Sequence, residues 1–366
     1  MRKWCKLKAM NNKEVLDLYS DYLISSFGQT TATGMAGMLK GSLSHDRIQR
    51  SLAKERYGSG DLWSAVKPHV RKIESLEGLL IIDDSIAEKP YTDENEIICW
   101  HWDHTQHRSV KGINFVSAVY HNQSLTLPVG YQLIAKTEEY VNAKDGKTKR
   151  RCPKTKNDYF RELVAQSVKN AIPFKYVVAD TWFASAENMR FVKETVKKDF
   201  VMPLKTNRKV AQTLADKQAG RYVRVDALPL EVNTLQPAYL EGVEFPLHLV
   251  KQIFTNEDGS TGILYLVTSD LTLLYDGITT IYQKRWNIEP YHKSLKQNAG
   301  LERSPTQTVT TQSNHFFAAL CAYIKLELLK SSSHLNHFAL RSKLYLKAIQ
   351  TAYEALNLLQ PARLAA

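Results

Sequence analysis

The sequence has few cysteines and no long apolar run. Its four cysteines, Cys5, Cys99, Cys152 and Cys321, include no CxxC pair, which argues against a disulfide framework and against a cysteine-ligated zinc site. The longest purely aliphatic run covers residues 79–82, far short of the roughly 18 residues that span a bilayer. No apolar stretch of signal-peptide length follows the basic residues near Met1, so we expect no export signal and an intracellular protein.

The composition is otherwise that of a globular protein with a basic surface. Among 366 residues, 16 Gly and 12 Pro are ordinary counts, and 43% hydrophobic residues exclude collagen, fibres and global disorder. Lys and Arg number 49 against 37 Asp and Glu, a net charge of +12. Such a surface favours a polyanionic partner, nucleic acid first and an acidic membrane surface second.

Residues 1–76 have apolar residues at helical spacing and predict a small helical domain. Within it, Ser44 is placed to cap a helix on which Arg47, Arg50 and Lys54 share one face. This pattern fits a helix-turn-helix with a basic recognition helix that binds DNA. The alternative is a helical pair whose charged face only meets water.

The rest of the chain predicts an α/β fold, a mixed sheet with helices on both sides. Three consecutive strands are expected at residues 79–84, 113–120 and 125–133, and alternating helices and strands follow up to residue 204. Residues 206–261 predict a β-rich insertion, after which a strand at 263–268 leads into long helices. The expected division is 1–76, 77–205, 206–261, 262–330 and 331–366, with the two α/β parts forming one catalytic domain.

A basic segment interrupts the α/β pattern at residues 142–157. It holds seven basic residues, Lys149, Arg150 and Arg151 among them, against the single acid Asp145. Runs of charge are commonly solvated faces, but a surface arm on a basic α/β protein is also a candidate for phosphate contacts. We expect Lys149, Arg150 and Arg151 to contact DNA.

Three carboxylates are candidates for a shared site. Asp84, with Asp83 beside it, and Asp180 are expected where apolar strands end, the edge at which open α/β sheets bind ligands. Either aspartate alone would more often be a turn or cap residue. The third candidate is Glu289, which lies on one face of a predicted helix with a tyrosine and three basic residues. The residues of this stripe are Tyr282, Arg285, Glu289, Lys293 and Lys296.

Three converging carboxylates would repel one another and require a divalent cation. Pro290 should kink the stripe, because proline has no N–H to donate within a helix. The basic residues of the stripe would meet the phosphates on which the metal acts. Two ions about 3.5 to 4 Å apart suit an in-line displacement at phosphorus.

The spacing of Tyr282, Arg285, Glu289 and Lys296 resembles the YREK signature of bacterial insertion-sequence transposases of the DDE type, which have an RNase H-like catalytic domain. The segments LLIIDDS and VVADTWF are similar to that family's first and second aspartate motifs, in the correct order. The resemblance covers about residues 79–325; in the N-terminal domain it is one of architecture only.

The resemblance implies an RNase H-like mixed sheet in which Asp84, Asp180 and Glu289 are catalytic and bind two Mg²⁺ ions, with Mn²⁺ as an alternative. Asp84 is preferred to Asp83 because the family's aspartate precedes a hydroxyl residue, here Ser85. Since neighbouring strand residues face opposite ways, only one of the two is expected in the site. Tyr282, Arg285 and Lys296 would contact DNA phosphates at the transposon end, and Lys293 lies on the same stripe.

The function expected from this resemblance is a cut-and-paste transposase. It would bind terminal inverted repeats, cut with Mg²⁺-activated water and join the freed 3′-OH to target DNA, in the bacterial cytoplasm and in contact with the nucleoid. The alternatives are a catalytically silent DNA-binding repressor and a metal-dependent nuclease of the same fold without strand joining. Synapsis of two ends implies a homodimer, for which Leu344, Tyr345, Leu346 and Ile349 offer either an interface or intrachain core.

Two further features bear on the chemistry. Relatives that cut through a DNA hairpin carry a Trp in the strand before the glutamate helix; here that position is Leu264, next to Tyr265, so the sequence leaves hairpin formation open. A cluster of His101, Asp103 and His104 with His107 has zinc-ligand residue types. We expect it in a polar loop before the second strand, without a metal.

Overall fold

Four helices precede the first strand. The computed structural model describes residues 10–104, 106–143, 146–256 and 258–359, so Cys5 and, in the basic arm, Lys144 and Asp145 lie outside the described residues. The helices are α1 (Asn12–Ser25), α2 (Ala32–Met38), α3 (His45–Lys54) and α4 (Ser59–Ile73). The side chain that precedes each of the first three accepts a hydrogen bond from a backbone N–H: Asn11, Thr31 and Ser44. Helices α2 and α3 lie where the helix-turn-helix is predicted.

The strands of the described part of the chain are β1 (Leu79–Glu88), β2 (Ile98–Asp103), β3 (Arg108–Asn122), β4 (Leu125–Leu133), β5 (Glu138–Val141), β6 (Thr148–Arg151), β7 (Tyr176–Ala179), β8 (Asp199–Leu204), β9 (Lys209–Ala211), β10 (Val223–Arg224), β11 (Leu235–Leu240), β12 (Leu247–Thr255) and β13 (Thr261–Thr268). The later helices are α5 (Lys156–Lys169), α6 (Ala186–Arg190), α7 (Leu214–Gln218), α8 (Tyr275–Lys284), α9 (Ile288–Gln297), α10 (Val309–Ser333) and α11 (His337–Leu359).

Strand β1 is the centre of the sheet. It pairs antiparallel with β3 and parallel with β7, while β4 pairs antiparallel with β3 and β8 parallel with β7. On one face of the sheet, Leu163 of α5 lies against Gly130 of β4. On the other face, the Tyr291 hydroxyl of α9 lies 3.2 Å from the Ser117 hydroxyl of β3. The predicted mixed α/β sheet flanked by helices is therefore confirmed.

The β-rich insertion continues this sheet. Strand β13 pairs antiparallel with β8, and β12, β11, β9 and β10 follow outward, so that eleven described strands form one sheet. The register between β12 and β13 is regular from His248↔Thr268 to Thr255↔Thr261. The insertion thus adds its strands to the edge strand of the core, β8.

The long helix α10 packs against the N-terminal helices. The Tyr19 hydroxyl of α1 lies 3.0 Å from Nδ1 of His315, and Asn314 donates through Nδ2 to the carbonyl of Leu52 in α3 at 2.8 Å. Both α10 residues are buried, so this part of the helix lies within the core and has no solvent face. The predicted boundary at residue 76 remains a prediction, but the helices before it share this core.

Three segments differ from the sequence expectations. Strand β1 was expected to end at Asp84 but continues to Glu88. Its second half stays paired with β3 after the pairing with β7 has ended. Residues 101–103, expected in the polar loop of the histidine cluster, instead end the edge strand β2, on which Trp100 and Trp102 are about half exposed. The basic arm contains β6, which pairs with β5, the strand directly before the arm, in a two-stranded hairpin.

Candidate active site

Two aspartates become neighbours where the pairing of β1 with β7 ends. The last parallel pair is Ile82↔Ala179, so the next residues of the two strands are Asp83 and Asp180. From this point β1 pairs with β3 only, and its other edge opens into a cleft of about 900 Å³. Both Asp83 and Asp84 line the cleft. Which of the two is the catalytic aspartate therefore stays a prediction, with Asp84 preferred.

The two aspartates of β1 face different helices. Asp83 pairs across the sheet with Ser117, which contacts α9, and thus shares the face on which α9 packs. Asp84 lies on the opposite face, where its Oδ2 accepts a hydrogen bond from Nζ of Lys156 in α5 at 2.6 Å. The cleft therefore receives one carboxylate from each face of the same strand.

The carboxylates perturb one another. Burial raises the pKa of Asp83 to about 8, and the neighbouring carboxylates of Asp180 and Asp84 add to this rise. Burial and Asp84 also raise the pKa of Asp180, although Asp180 accepts backbone hydrogen bonds from Trp182 at 3.0 Å and Phe183 at 3.4 Å. The site thus brings together carboxyl groups that water does not fully solvate.

Glu289 lines the same cleft from the first turn of α9. The predicted continuous helix is interrupted here by a 3₁₀ turn, Arg285–Asn287, between α8 and α9. Pro290 explains the break, because it cannot donate to the carbonyl four residues earlier. The Glu289 side chain is exposed, and its Oε1 lies 3.3 Å from Nη2 of Arg285.

The break divides the predicted stripe. Tyr282 is buried, and the guanidinium of Arg285 lies 5.4 Å from its ring centroid. Lys296 lines the cleft, whereas Nζ of Lys293 lies 5.3 Å from the Phe338 ring of α11 and is outside the cleft lining. The structure thus brings Glu289 and Lys296, but not Lys293, to the aspartates.

His292 also lines the cleft. It is buried, with its ring edge-on to Phe115 at a centroid distance of 5.6 Å. Burial and the nearby Lys296 lower the pKa of His292 to about 3. The imidazole is therefore neutral at physiological pH.

Sequence reasoning missed several residues of the cleft: Lys156, Lys205, Trp102, His104 and Trp182. Lys156 was counted only as part of the basic arm. A signal existed for Lys205 and Trp182: Lys205 directly follows β8 and Trp182 lies two residues after Asp180, at the sheet edge where both aspartate motifs were expected.

The remaining predicted DNA contacts lie away from the cleft lining. Arg47 donates through Nη2 to the carbonyl of Met10 at 2.9 Å, while Arg50 and Lys54 are exposed on α3. On the β5–β6 hairpin, Lys149 is exposed, and two arginines form ion pairs across the strands: Arg150 with Glu139 at 3.3 Å and Arg151 with Glu138 at 3.0 Å. Their role in DNA binding stays a prediction.

The described residues lack two further features. Within the described ranges, no three His, Cys, Asp or Glu side chains lie close enough together to hold a metal ion as they stand. The helices of these same ranges include none with both the length and the apolarity needed to cross a membrane.

The mixed sheet thus carries a cleft lined by carboxylates and lysines where the pairing of β1 with β7 ends. A family model described as "DDE superfamily endonuclease" matches residues 5–229. This is more than half of the chain, which therefore belongs to that family. The matched region includes Asp84 and Asp180 and ends before Glu289.

Among solved structures, the chain is similar to one in the "Drosophila P element transposase strand transfer complex". The identity is 10% and the TM-score 0.25, over 47% of this chain and 34% of that chain. The chain thus spans about a third of the length of that transposase, and this degree of similarity is too low to transfer function. No curated protein matches the chain.

Proposed function

We propose that this chain is a DNA transposase of the bacterial insertion-sequence type, which cuts the ends of its element and joins them to target DNA. One observation carries the proposal: Asp84, Asp180 and Glu289, far apart in the sequence, line one cleft together with lysines. Membership of an endonuclease family supports the cutting step. Strand joining and the YREK role of Tyr282, Arg285, Glu289 and Lys296 rest on the sequence resemblance.

The residues of the cleft fit a divalent cation. Carboxylate oxygens are the donors that Mg²⁺ and Mn²⁺ prefer. The pKa of Asp83 is raised by burial first and by repulsion from Asp180 and Asp84 second, and a cation would relieve the repulsion. Asp84 and Asp180 would hold the metal, and Glu289 would join them by leaving Arg285. When bound, the metal activates a water and stabilises the leaving oxygen at phosphorus.

The side chains of this chain would divide the remaining work. Lys156 and Lys296 line the cleft from α5 and α9 and would bind the phosphates beside the scissile bond. Arg285 is held against the Tyr282 ring, so its guanidinium is oriented for a phosphate once Glu289 turns away. The neutral imidazole of His292 would add no charge to this set.

We further propose a homodimer formed through α11. Residues 342–358 are all exposed, and among them Tyr345, Ile349 and Leu356 lie on one face of the helix, each about half exposed. Ile349 and Leu356 are one heptad apart, with Tyr345 four residues before Ile349, the a and d spacing of a helix pair. Replacing Ile349 and Leu356 by Asp should convert a dimer to a monomer in sedimentation equilibrium; a monomeric wild type at all concentrations would refute the interface.

The decisive experiment is a cleavage and strand-transfer assay with Mg²⁺ on DNA carrying the ends of the encoding element. Wild type should cut and join, while Asp84→Asn, Asp180→Asn and Glu289→Gln should each lose about a thousandfold or more of the cleavage rate. Glu241→Gln, an exposed residue outside the cleft, serves as the charge-matched control. Cleavage without joining would favour the nuclease, and DNA binding without cleavage the repressor.

A further inference from the structure

A large aromatic side chain lies exposed beside the carboxylates. Trp182 follows Asp180 by two residues, lines the cleft and is 45% exposed. Its backbone is fixed, because Trp182 N–H donates to Oδ1 of Asp180 and the next residue, Phe183, is buried and stacks on Phe160 at 5.5 Å. The indole therefore projects from a rigid turn into the site.

Cations surround this indole. Nζ of Lys205 lies 5.1 Å and Nζ of Lys156 5.9 Å from the ring centroid, and the His104 ring lies 5.6 Å away. Lys156 is the same residue that pairs with Asp84. An aromatic face between two lysines combines the elements that bind single-stranded nucleic acid: a surface for a base and cations for the phosphates on either side of it.

We propose that Trp182 is the stacking platform for one unpaired nucleobase of the DNA strand that occupies the cleft, with Lys205 and Lys156 binding the flanking phosphates. This inference rests on the proposed function and adds a base-binding residue to it. An exposed cation–ring contact is weaker than a base–aromatic stack. A base can therefore displace the lysines from the ring and leave them for phosphate.

The platform also has a geometric consequence. A base held by Trp182 would fix the nucleotide next to Asp180, because the two residues are joined by a hydrogen-bonded turn. Stacking is tolerant of base identity, so the site would hold a nucleotide in position without selecting its sequence.

The test measures binding of a fluorescein-labelled oligothymidylate to the full chain in chelator, by fluorescence anisotropy. Trp182→Ala should weaken binding about tenfold, and Trp182→Tyr should restore most of it. Trp100→Ala, which removes a tryptophan that is 52% exposed on β2 and outside the cleft lining, is the matched control and should bind like wild type.

The second arm replaces the bases. Wild type should bind an abasic strand of the same length as weakly as Trp182→Ala binds the oligothymidylate. On the abasic strand, Trp182→Ala should bind as well as wild type does. Lys205→Ala should instead reduce the slope of affinity against salt by about one counterion for either strand. An equal Trp182→Ala loss on both strands, or no loss on either, would overturn the inference.

The outcomes separate the two proposals. A wild type that neither binds nor cuts DNA would remove the proposed function. A wild type that cuts, with a folded Trp182→Ala variant that binds and cuts equally well, would remove only the stacking role of Trp182.

Discussion

The ionisation of Asp83 tests whether this carboxyl group is buried beside other carboxylates in the cleft. Because burial, Asp180 and Asp84 raise the pKa of Asp83 from 3.8 to about 8, between those pH values the folded protein holds a proton that the unfolded chain has released. The free energy of unfolding should therefore fall as pH rises through this window and level off above about pH 8. Asp83→Asn removes the titration and keeps an oxygen that can accept the N–H of Asp84.

The magnitude follows from the same numbers. Each pH unit within the window changes the free energy of unfolding by roughly 1.4 kcal/mol, before water and counter-ions in the open cleft reduce the effect. We therefore expect the free energy of unfolding of Asp83→Asn, measured relative to that of wild type, to increase by a few kcal/mol from about pH 4 to about pH 8.

The assay is urea unfolding of both proteins from pH 4 to pH 9 in chelator, with Asp93→Asn, an exposed residue, as the control for loss of one charge. A stability difference between Asp83→Asn and wild type that does not change with pH would refute the reasoning. Added Mg²⁺ or Mn²⁺ should stabilise wild type more than Asp83→Asn, because the cation relieves repulsion that the variant no longer has.

Two further predictions concern the scaffold. Burial alone would raise the pKa of Asp270, but hydrogen bonds from Thr272 and Tyr176 lower it to about 2. The stabilisation of the fold by ionised Asp270 should be complete above about pH 4 and disappear as pH falls to about 2. Asp270→Asn should therefore reduce the pH dependence of acid unfolding over that range, measured by circular dichroism. Phe316 is fully buried against Phe115 with ring centroids 4.8 Å apart; Phe316→Ala should cost about 3 to 5 kcal/mol in urea unfolding and Phe316→Leu clearly less, and equal costs would contradict tight packing at this position.

Much of the core sheet was predictable, because its strands are buried on both faces. The runs that became β7 and the first half of β1 are almost purely apolar, and such runs indicate central strands of a covered sheet. Asp180 could be placed for the same reason, since it is the first polar residue after β7. The edge strand β2 could not, because Trp100 and Trp102 on its solvated face conceal the pattern.

The sequence placed the acids and Lys296 at the cleft, but it did not place Lys156 and Lys205 there. Glu289 was predicted from its position in the helical stripe. It reaches the cleft because α9 is anchored on the sheet through Tyr291. Lys293 and Lys296 both follow the 3₁₀ turn on the continuous helix α9, where at about 100° per residue the two positions differ by about 60°. Lys293 therefore lies against Phe338, outside the cleft lining. Lys205 reaches the cleft from a strand that carries no acidic motif, and only the parallel pairing of β8 with β7 brings it there.

The central claim is that Asp84, Asp180 and Glu289 together hold the divalent cations, of which two are expected. The most direct measurement is anomalous diffraction from crystals soaked in Mn²⁺ with a DNA end bound. We predict anomalous density in the cleft in contact with carboxylate oxygens of all three residues, and with Glu289 released from Arg285. A peak held by other residues, or Glu289 still paired with Arg285 while the metal is bound, would contradict the account.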